Sequence, residues 1–136
     1  MLEEANSETE RLGVKIANMT RPVEMLSGGQ RQGVALARAA VRVTNKPKGI
    51  LLLDEPTAAL GYEQKVMVEA LIKRLADHGI AVVVVTHDLP LAFAATSRMV
   101  VLNRGRKVCD IDTKKTTYEE IVGWITGARE PQKDMD

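Results

Sequence analysis

The chain has 136 residues, of which 45% are hydrophobic and 27% charged, a composition that predicts one globular domain with an apolar core. Its formal net charge of +1 gives no electrostatic reason to expect a nucleic-acid partner or attraction to an anionic membrane. The longest aliphatic run, "IAVVVV", is far shorter than the roughly 20 residues that span a bilayer, so we expect no direct membrane insertion, and one cysteine excludes an internal disulfide.

The N-terminal part of the chain shows helical patterns and no strand. A polar, acidic segment unlike a secretion signal predicts a helix over residues 2–12 that closes at Gly13. A loop containing Pro22 follows, and an alanine-rich pattern then predicts a helix over residues 30–43. Directly before this helix stand a serine and two glycines: Ser27, Gly28 and Gly29.

The central part predicts a strand, a helix and a second strand. "GILLLDEP" is a short apolar run that Pro56 stops. Residues 63–78 repeat apolar positions at helical spacing, and Gly79 follows as a C-terminal signal. "IAVVVVTHD" is a second continuous apolar run. Because both strands are apolar throughout, they predict a βαβ unit in a parallel sheet that is covered on both faces.

The C-terminal part predicts a short helix, a hairpin and a last helix. The short helix covers residues 89–96, and "MVVLNRGRKVCDI" predicts a hairpin that turns at Arg104–Gly105. "TTYEEIVGWITGA" predicts an amphipathic helix capped by Thr116 or Thr117, and residues 129–136 predict a disordered tail. The fold class is therefore α/β.

Two polar clusters follow the predicted parallel strands, where ligand sites of such sheets form. The first is Asp54–Glu55 and the second is Thr86–His87–Asp88. Adjacent carboxylates at a strand end suit a magnesium site, with Asp54 facing the metal's shell and Glu55 accepting a proton from water. Pro56 favours an extended backbone at Glu55. His87 could then either hydrogen-bond a phosphate oxygen or hold the carboxylate and the water in line. The alternative interpretation is that each cluster is only a solvated turn.

Ser27, Gly28 and Gly29 also have two interpretations. Ser27 alone can be a helix cap, with the glycines in the first turn. A helix N-terminus also attracts anions, and glycine lets a phosphate approach the backbone closely, with Gln30 and Arg31 beside it. We predict no function for three further residues, which are interpreted as a helix C-terminal residue, a half-buried strand residue and core packing: His78, Cys109 and Trp124.

Taken together, these stretches resemble the ABC ATPase family. "LSGGQRQ" matches the signature motif of that family, and "ILLLDEP" matches its Walker B strand with the catalytic glutamate. "TAALG" stands in the place of the D-loop, and "VVVVTHD" matches the strand that leads to the switch histidine. The resemblance runs from about Leu12 to Gly127. The motif sequences are most similar to those of ATPase subunits of carbohydrate importers.

The resemblance implies a role for each site residue. In this family two ATPase domains pair head to tail around ATP, and both bind a transmembrane permease at the cytoplasmic face of the cell membrane. Asp54 would hold Mg²⁺ through water, Glu55 would polarise the attacking water, and His87 would contact the γ-phosphate. The residues that would contact the γ-phosphate of ATP on the partner domain are Ser27, Gly28, Gly29 and Gln30.

The chain departs from the family pattern in two places. Gly61 stands where the D-loop usually ends in aspartate, and no G-x-x-x-x-G-K-[ST] phosphate loop occurs in the 136 residues. The resemblance therefore implies a partial P-loop NTPase-like domain without its phosphate-loop half. Residues 1–45 would be the rest of a helical subdomain, and residues 46–128 an α/β core that leaves apolar surface exposed. We expect such a chain to bind Mg-ATP with a dissociation constant above about 1 mM.

Three functions remain open from the sequence. The first is the ATPase subunit of a carbohydrate importer, present as an incomplete domain. The second is a non-catalytic fragment or interaction module that supplies only the signature side of a composite ATP site. The third is the C-terminal lobe of a DNA-repair or chromosome-structure ATPase. This third function is disfavoured because residues 1–25 show no sustained heptads and the charge gives no DNA footprint.

Overall fold

The computed structural model describes residues 22–44, 49–58 and 60–132. The chain divides into two compact units, one that ends at Asp88 and one that begins at Leu89. The helix predicted over residues 2–12 lies outside the described residues. Across the described ranges, every helix is too short or too polar to cross a bilayer.

The first unit contains the predicted βαβ arrangement. A 3₁₀ turn, Val23–Met25, leads to helix α1, Gly28–Thr44. Strand β1, Ile50–Asp54, helix α2, Tyr62–Asp77, and strand β2, Ala81–Val85, follow in that order. The strands pair in parallel with Ile50 opposite Ala81 and Asp54 opposite Val85, which confirms the predicted parallel sheet.

Only one face of this two-stranded sheet is buried. Leu51 and Leu53 are 5% and 6% exposed, whereas Ile50 and Leu52 on the other face are 68% and 70% exposed. The prediction of a sheet covered on both faces was therefore wrong for this chain. The apolar runs are typical of strands buried on both sides, but α1 and α2 contribute their apolar side chains to a single face. Exposed side chains of β2 continue the open face: Val83 and Val85.

The core of the first unit joins α1 to the βαβ arrangement. Helix α1 packs on α2 and β1, and α2 packs on β2. Helix α1 and the βαβ arrangement therefore share one core, because the apolar stripe of α1 is buried in it. The side chains of this core include Leu36, Ala37, Ala40, Val68, Leu71, Ile72 and Leu75.

The second unit is a helix, a hairpin and a capped helix. Helix α3, Leu89–Ala95, precedes strands β3, Arg98–Asn103, and β4, Arg106–Asp112, and helix α4 covers Tyr118–Thr126. The hairpin turns at Arg104 and Gly105, whose φ angles of 49° and 77° suit a two-residue hairpin turn. The side chains of its core are Leu89, Met99, Val101, Val108, Cys109, Ile121 and Trp124.

Helix α4 begins where the sequence placed its cap. Thr117 accepts a hydrogen bond from the Glu120 N–H, and the Glu120 side chain accepts one from the Thr117 N–H, which forms a capping box. A 3₁₀ turn, Thr113–Lys115, precedes the cap, and Gly127 ends the helix with a φ of 78°. The predicted cap at the start of this helix is therefore confirmed, with Thr117 rather than Thr116 in that role.

The structure differs from the expected disordered tail at residues 129–132. The indole N–H of Trp124 donates to the Glu130 carbonyl at 3.0 Å, and the Arg129 guanidinium lies 4.7 Å from the centre of the Trp124 ring. The Gln132 N–H donates to the Val108 carbonyl at 3.0 Å. These contacts cover Trp124 and join the segment to β4, and composition alone does not reveal them.

Candidate functional site

The carboxyl ends of β1 and β2 bring the two predicted polar clusters together. The Glu55 N–H donates to the Val85 carbonyl at 2.8 Å and continues the strand pairing by one bond. The Oε1 atom of Glu55 lies 2.7 Å from the His87 Nδ1 and accepts the His87 N–H at 3.2 Å. The Thr86 hydroxyl donates to Glu55 Oε2 at 3.4 Å. Glu55, Thr86 and His87 therefore form one cluster, as the parallel arrangement predicted.

The backbone of Glu55 differs from the extended conformation that Pro56 led us to expect. Its φ of 45° lies in the left-handed region, which costs a residue with a side chain roughly 1–2 kcal/mol. Two bonds hold it there: the Glu55 N–H is paired with β2, and the Glu55 carbonyl accepts the Ala58 N–H at 3.0 Å. The chain must leave the sheet and turn within one residue, and this demand outweighs the local preference before proline.

The contact with His87 favours the charged form of Glu55. The hydrogen bond from the His87 side chain is the main reason why the pKa of Glu55 is lowered, although partial burial opposes the shift. The His87 side chain is 86% exposed and that of Glu55 is 35% exposed, so both are open to solvent. An ionised, accessible carboxylate beside an imidazole can accept a hydrogen bond from a water molecule and orient it.

Asp54 is the last residue of β1 and lies on the exposed face of the sheet. Within the described ranges, no group of three or more acidic, histidine or cysteine side chains is arranged to hold a metal ion. A single carboxylate suits a Mg²⁺ ion that keeps most of its water ligands. The structure is therefore compatible with the water-mediated role predicted for Asp54 and shows no closed metal cage among these residues.

Three polar side chains beside the Glu55 cluster extend it, and the sequence singled out only one of them. Asp88 Oδ2 accepts a hydrogen bond from the Lys65 ammonium at 2.7 Å and from the Thr57 hydroxyl at 3.1 Å. With Glu55 and His87 these residues line a shallow pocket. No local pattern reveals Thr57 or Lys65, because both reach Asp88 only through the turn after β1 and the placement of α2.

Ser27 is a helix cap in this structure. Its hydroxyl accepts the Gln30 N–H at 3.3 Å, and the Gln30 side chain accepts the Ser27 N–H at 2.9 Å, so the two residues form a capping box. Helix α1 begins at Gly28, two residues earlier than predicted. The Arg31 guanidinium donates to the Leu26 carbonyl at 2.6 Å and is thereby folded back on the preceding turn.

The two glycines have different surroundings. A Cβ atom built on Gly28 meets nothing within 4 Å, whereas one built on Gly29 lies 3.3 Å from Gln64 Cγ and 3.4 Å from Leu60 Cδ2. The absence of a side chain at Gly29 thus permits close packing against the α2 region. At Gly28 it leaves the helix N-terminus open, which is the condition for an anion to approach the backbone.

The capped N-terminus of α1 and the Glu55 cluster are separate within the first unit. Of the hydrogen bonds between described residues, none joins Ser27, Gly28 or Gly29 to Glu55 or His87. The nearest link is the Gln32 side chain, which donates to the Pro56 carbonyl at 3.4 Å. The structure therefore contains two candidate sites on one unit.

The remaining residues that the sequence singled out have structural surroundings. His78 ends α2 and its ring lies against the Arg74 carbonyl, and Trp124 is 4% exposed, as predicted. Cys109 was expected to be half buried, but it is 0% exposed because it faces the core of the second unit. Gly61 precedes α2 with a φ of −72°, and a Cβ atom there would meet the Gln64 Oε1 at 2.8 Å.

Comparison with known proteins identifies a family. The profile of the ABC transporter family matches residues 2–58. The fructose import ATP-binding protein FrcA of Rhizobium meliloti is 38% identical over 98% of this chain and 50% of that protein. The hemin import ATP-binding protein HmuV of Rhodococcus jostii is 41% identical over 90% of this chain and 41% of that protein.

Solved structures agree with the sequence relatives. The dimeric ABC transporter cassette MJ0796 has a TM-score of 0.69 and 32% identity over 82% of this chain and 46% of that one. The same cassette in a dimeric post-hydrolysis state bound to ADP and Pi has a TM-score of 0.67 and 31% identity. The chain spans half the length of FrcA and less than half of HmuV and MJ0796.

Proposed function

Since the chain belongs to the ABC transporter family of ATPases, we propose that it forms the C-terminal part of an ATPase subunit whose ATP hydrolysis drives import through a transmembrane permease. The observation that carries this proposal is the Glu55 cluster. An ionised carboxylate, a histidine and a hydroxyl meet at the ends of two parallel strands, with Asp54 one residue away. The subunit would lie at the cytoplasmic face of the membrane through its permease.

We propose a carbohydrate as the imported substrate. FrcA, a fructose import protein, aligns with 98% of the chain, and the stretch "DEPTAALG" with Gly61 has the wording of sugar importers. HmuV, a hemin import ATP-binding protein, is also similar to this chain, so ATPases of this type also occur in import systems for other molecules. Growth of a deletion strain on single carbon sources would test the substrate directly.

The N-terminus of α1 fits the phosphate group of a nucleotide. Within the described part of the chain, the backbone N–H groups of Gly28 and Gly29 have no acceptor, and the space beside Gly28 is open. The Ser27 hydroxyl uses its oxygen to cap Gln30, which leaves its hydrogen to donate to an anion. These residues would bind the γ-phosphate of ATP held by a second ATPase domain. The Gln30 amide nitrogen is also available, since its side-chain oxygen is the atom that bonds Ser27.

The residues at the strand ends would bind the metal ion and orient the attacking water. Mg²⁺, when bound, would supply positive charge to the phosphate groups, and Asp54 would bind it through water. Glu55 would orient the attacking water, and His87 would contact a phosphate oxygen. Such a site acts mainly by positioning groups and by stabilising negative charge in the transition state.

The proposal predicts weak nucleotide binding by the 136-residue chain, because its sequence contains no phosphate loop. Titration calorimetry should give a dissociation constant for Mg-ATP above about 1 mM, which corresponds to less than about 4 kcal/mol of binding free energy. The chain should release no more phosphate than its Glu55→Gln variant does. Tight binding, or turnover that depends on Glu55, would contradict this prediction, because the chain would then bind the phosphates of ATP without a phosphate loop.

A second measurement separates the ATPase from the non-catalytic module. The chain is mixed with the part of FrcA that the similarity does not cover, which is half of that protein. The ATPase proposal expects phosphate release that Glu55→Gln abolishes. A matched control is Glu69→Gln, which changes an α2 residue bonded to Lys73 and should leave phosphate release unchanged. Phosphate release that is the same in the original chain and in the Glu55→Gln variant would favour the module.

A further inference from the structure

Asp88 connects α2 to both strand ends. Its carboxylate accepts a hydrogen bond from the ammonium of Lys65, which lies near the start of α2. It accepts another from the hydroxyl of Thr57, which lies in the turn after β1. The Asp88 side chain is 13% exposed and Thr57 is 3% exposed, whereas the Lys65 side chain is 45% exposed. A cation at the surface is thus bonded to a largely buried carboxylate.

Hydrogen bonds on either side of Asp88 connect Lys65 to Glu55, and the covalent bonds of Asp88 join them into one path. The Asp88 N–H donates to the Thr86 hydroxyl oxygen at 3.0 Å, and the Thr86 hydroxyl donates to Glu55 Oε2 at 3.4 Å. His87 lies between Thr86 and Asp88, so both neighbours of His87 are fixed by this path. The segment that carries His87 is therefore linked to α2 through Asp88.

Lys65 is the part of this path that stabilises the Asp88 carboxylate. A largely buried carboxylate that loses a cationic partner tends to turn towards water, because part of the compensation for its desolvation is lost. Since the Asp88 N–H holds Thr86, such a movement would loosen the segment of residues 86–88. The Thr57 hydroxyl would be displaced with it.

We propose that Lys65 is a positioning residue that holds His87 and Glu55 together through Asp88. Its importance for turnover rests on the proposed function, in which Glu55 and His87 act on water and phosphate. Its structural part does not, because it concerns only contacts between side chains and backbone groups of this chain. The two parts can therefore be tested separately.

The chain offers a matched control on the same helix. Lys73 is 49% exposed and bonds Glu69 at 2.6 Å, much as Lys65 is 45% exposed and bonds Asp88 at 2.7 Å. Lys65→Gln and Lys73→Gln thus remove ion pairs of similar length and lysine exposure, one with the largely buried Asp88 and one with Glu69, which is 32% exposed. Lys65→Arg keeps the positive charge and serves as the conservative variant.

The measurement is amide hydrogen exchange by NMR in the absence of nucleotide. The His87 N–H, which donates to Glu55 Oε1, should exchange about fivefold faster in Lys65→Gln. It should be unchanged in Lys73→Gln and return towards the original rate in Lys65→Arg. The amide of Leu71, in the core of α2, serves as the reference for overall stability.

Two results would overturn the proposal. An unchanged His87 rate in Lys65→Gln would show that the contact does not hold the segment. An equal acceleration of His87 and Leu71 would show that Lys65 contributes only to general stability. Because no nucleotide is present, either result leaves the ATPase proposal standing, and failure of the ATPase proposal leaves this measurement valid.

Discussion

Glu55 shows how one residue is shaped by competing demands. The bond from its N–H to β2, the turn from its carbonyl to Ala58 and the contact of its carboxylate with His87 are all satisfied together. The left-handed backbone at Glu55 accommodates all three contacts, so the local preference set by Pro56 is overridden. The strain and the lowered pKa of Glu55 therefore arise from the same junction of two strands.

Gly28 and Gly29 are adjacent in the sequence but differ in what a side chain would meet. Gly28→Ala should raise the free energy of unfolding by about 0.5 kcal/mol, because alanine favours a helix and the added methyl group meets nothing. Gly29→Ala should give no such gain, since its methyl group would press on Gln64. Urea unfolding followed by circular dichroism measures both.

This comparison bears on the phosphate site. A stabilising Gly28→Ala would mean that the fold does not need glycine there, which supports a role in letting a ligand approach. If both Gly28→Ala and Gly29→Ala lowered the stability by the same amount, both glycines would be needed for packing. Ser27→Thr is a suitable control, since threonine retains the capping hydroxyl.

At the scale of elements, β1 has one buried and one exposed face. Leu53 is 6% exposed and Leu52 is 70% exposed, although they are neighbours of identical type. Leu53→Ala should cost about 2–5 kcal/mol because it leaves a cavity in the core. Leu52→Thr should change stability by less than about 0.5 kcal/mol, as for most surface substitutions.

Urea unfolding of the two variants checks this contrast. A cost at Leu52→Thr that approaches that of Leu53→Ala would show that the face of Ile50, Leu52 and Val83 is covered in solution. The same variant should also be more soluble than the original chain, because a large apolar patch promotes association. Sedimentation velocity at several concentrations measures that effect.

At the scale of the whole chain, residues 129–132 close the core of the second unit. They bond Trp124 and the edge of β4 next to Cys109. Burial raises the pKa of the Cys109 thiol, so both low exposure and a low thiolate fraction protect it from thiol reagents. Labelling of Cys109 therefore reports opening of this unit.

Two truncated chains test this closure. A chain that ends at residue 128 should label with a thiol reagent at least about tenfold faster than the full chain, because the contacts to Trp124 and β4 are lost. A chain that ends at residue 132 keeps those contacts and should label at the original rate. Equal labelling of the two truncated chains would show that residues 129–132 do not protect the core.

The sequence by itself determined the order of the elements, the parallel pairing and the two polar clusters at the strand ends. Apolar periodicity, turn glycines and caps are local signals, and "LSGGQRQ" and "ILLLDEP" identified the family that the comparisons then showed. Because parallel strands point the same way, the meeting of Glu55 with His87 followed from topology.

Only the tertiary structure decided which surfaces are covered and which polar groups meet. Several features depend on neighbours distant in the sequence: the open face of β1, the left-handed Glu55, the complete burial of Cys109 and the contacts of residues 129–132. The contact of Lys65 with Asp88 spans 23 residues and leaves no periodic trace. Such contacts are set by how helices lie against strands, which a local pattern does not encode.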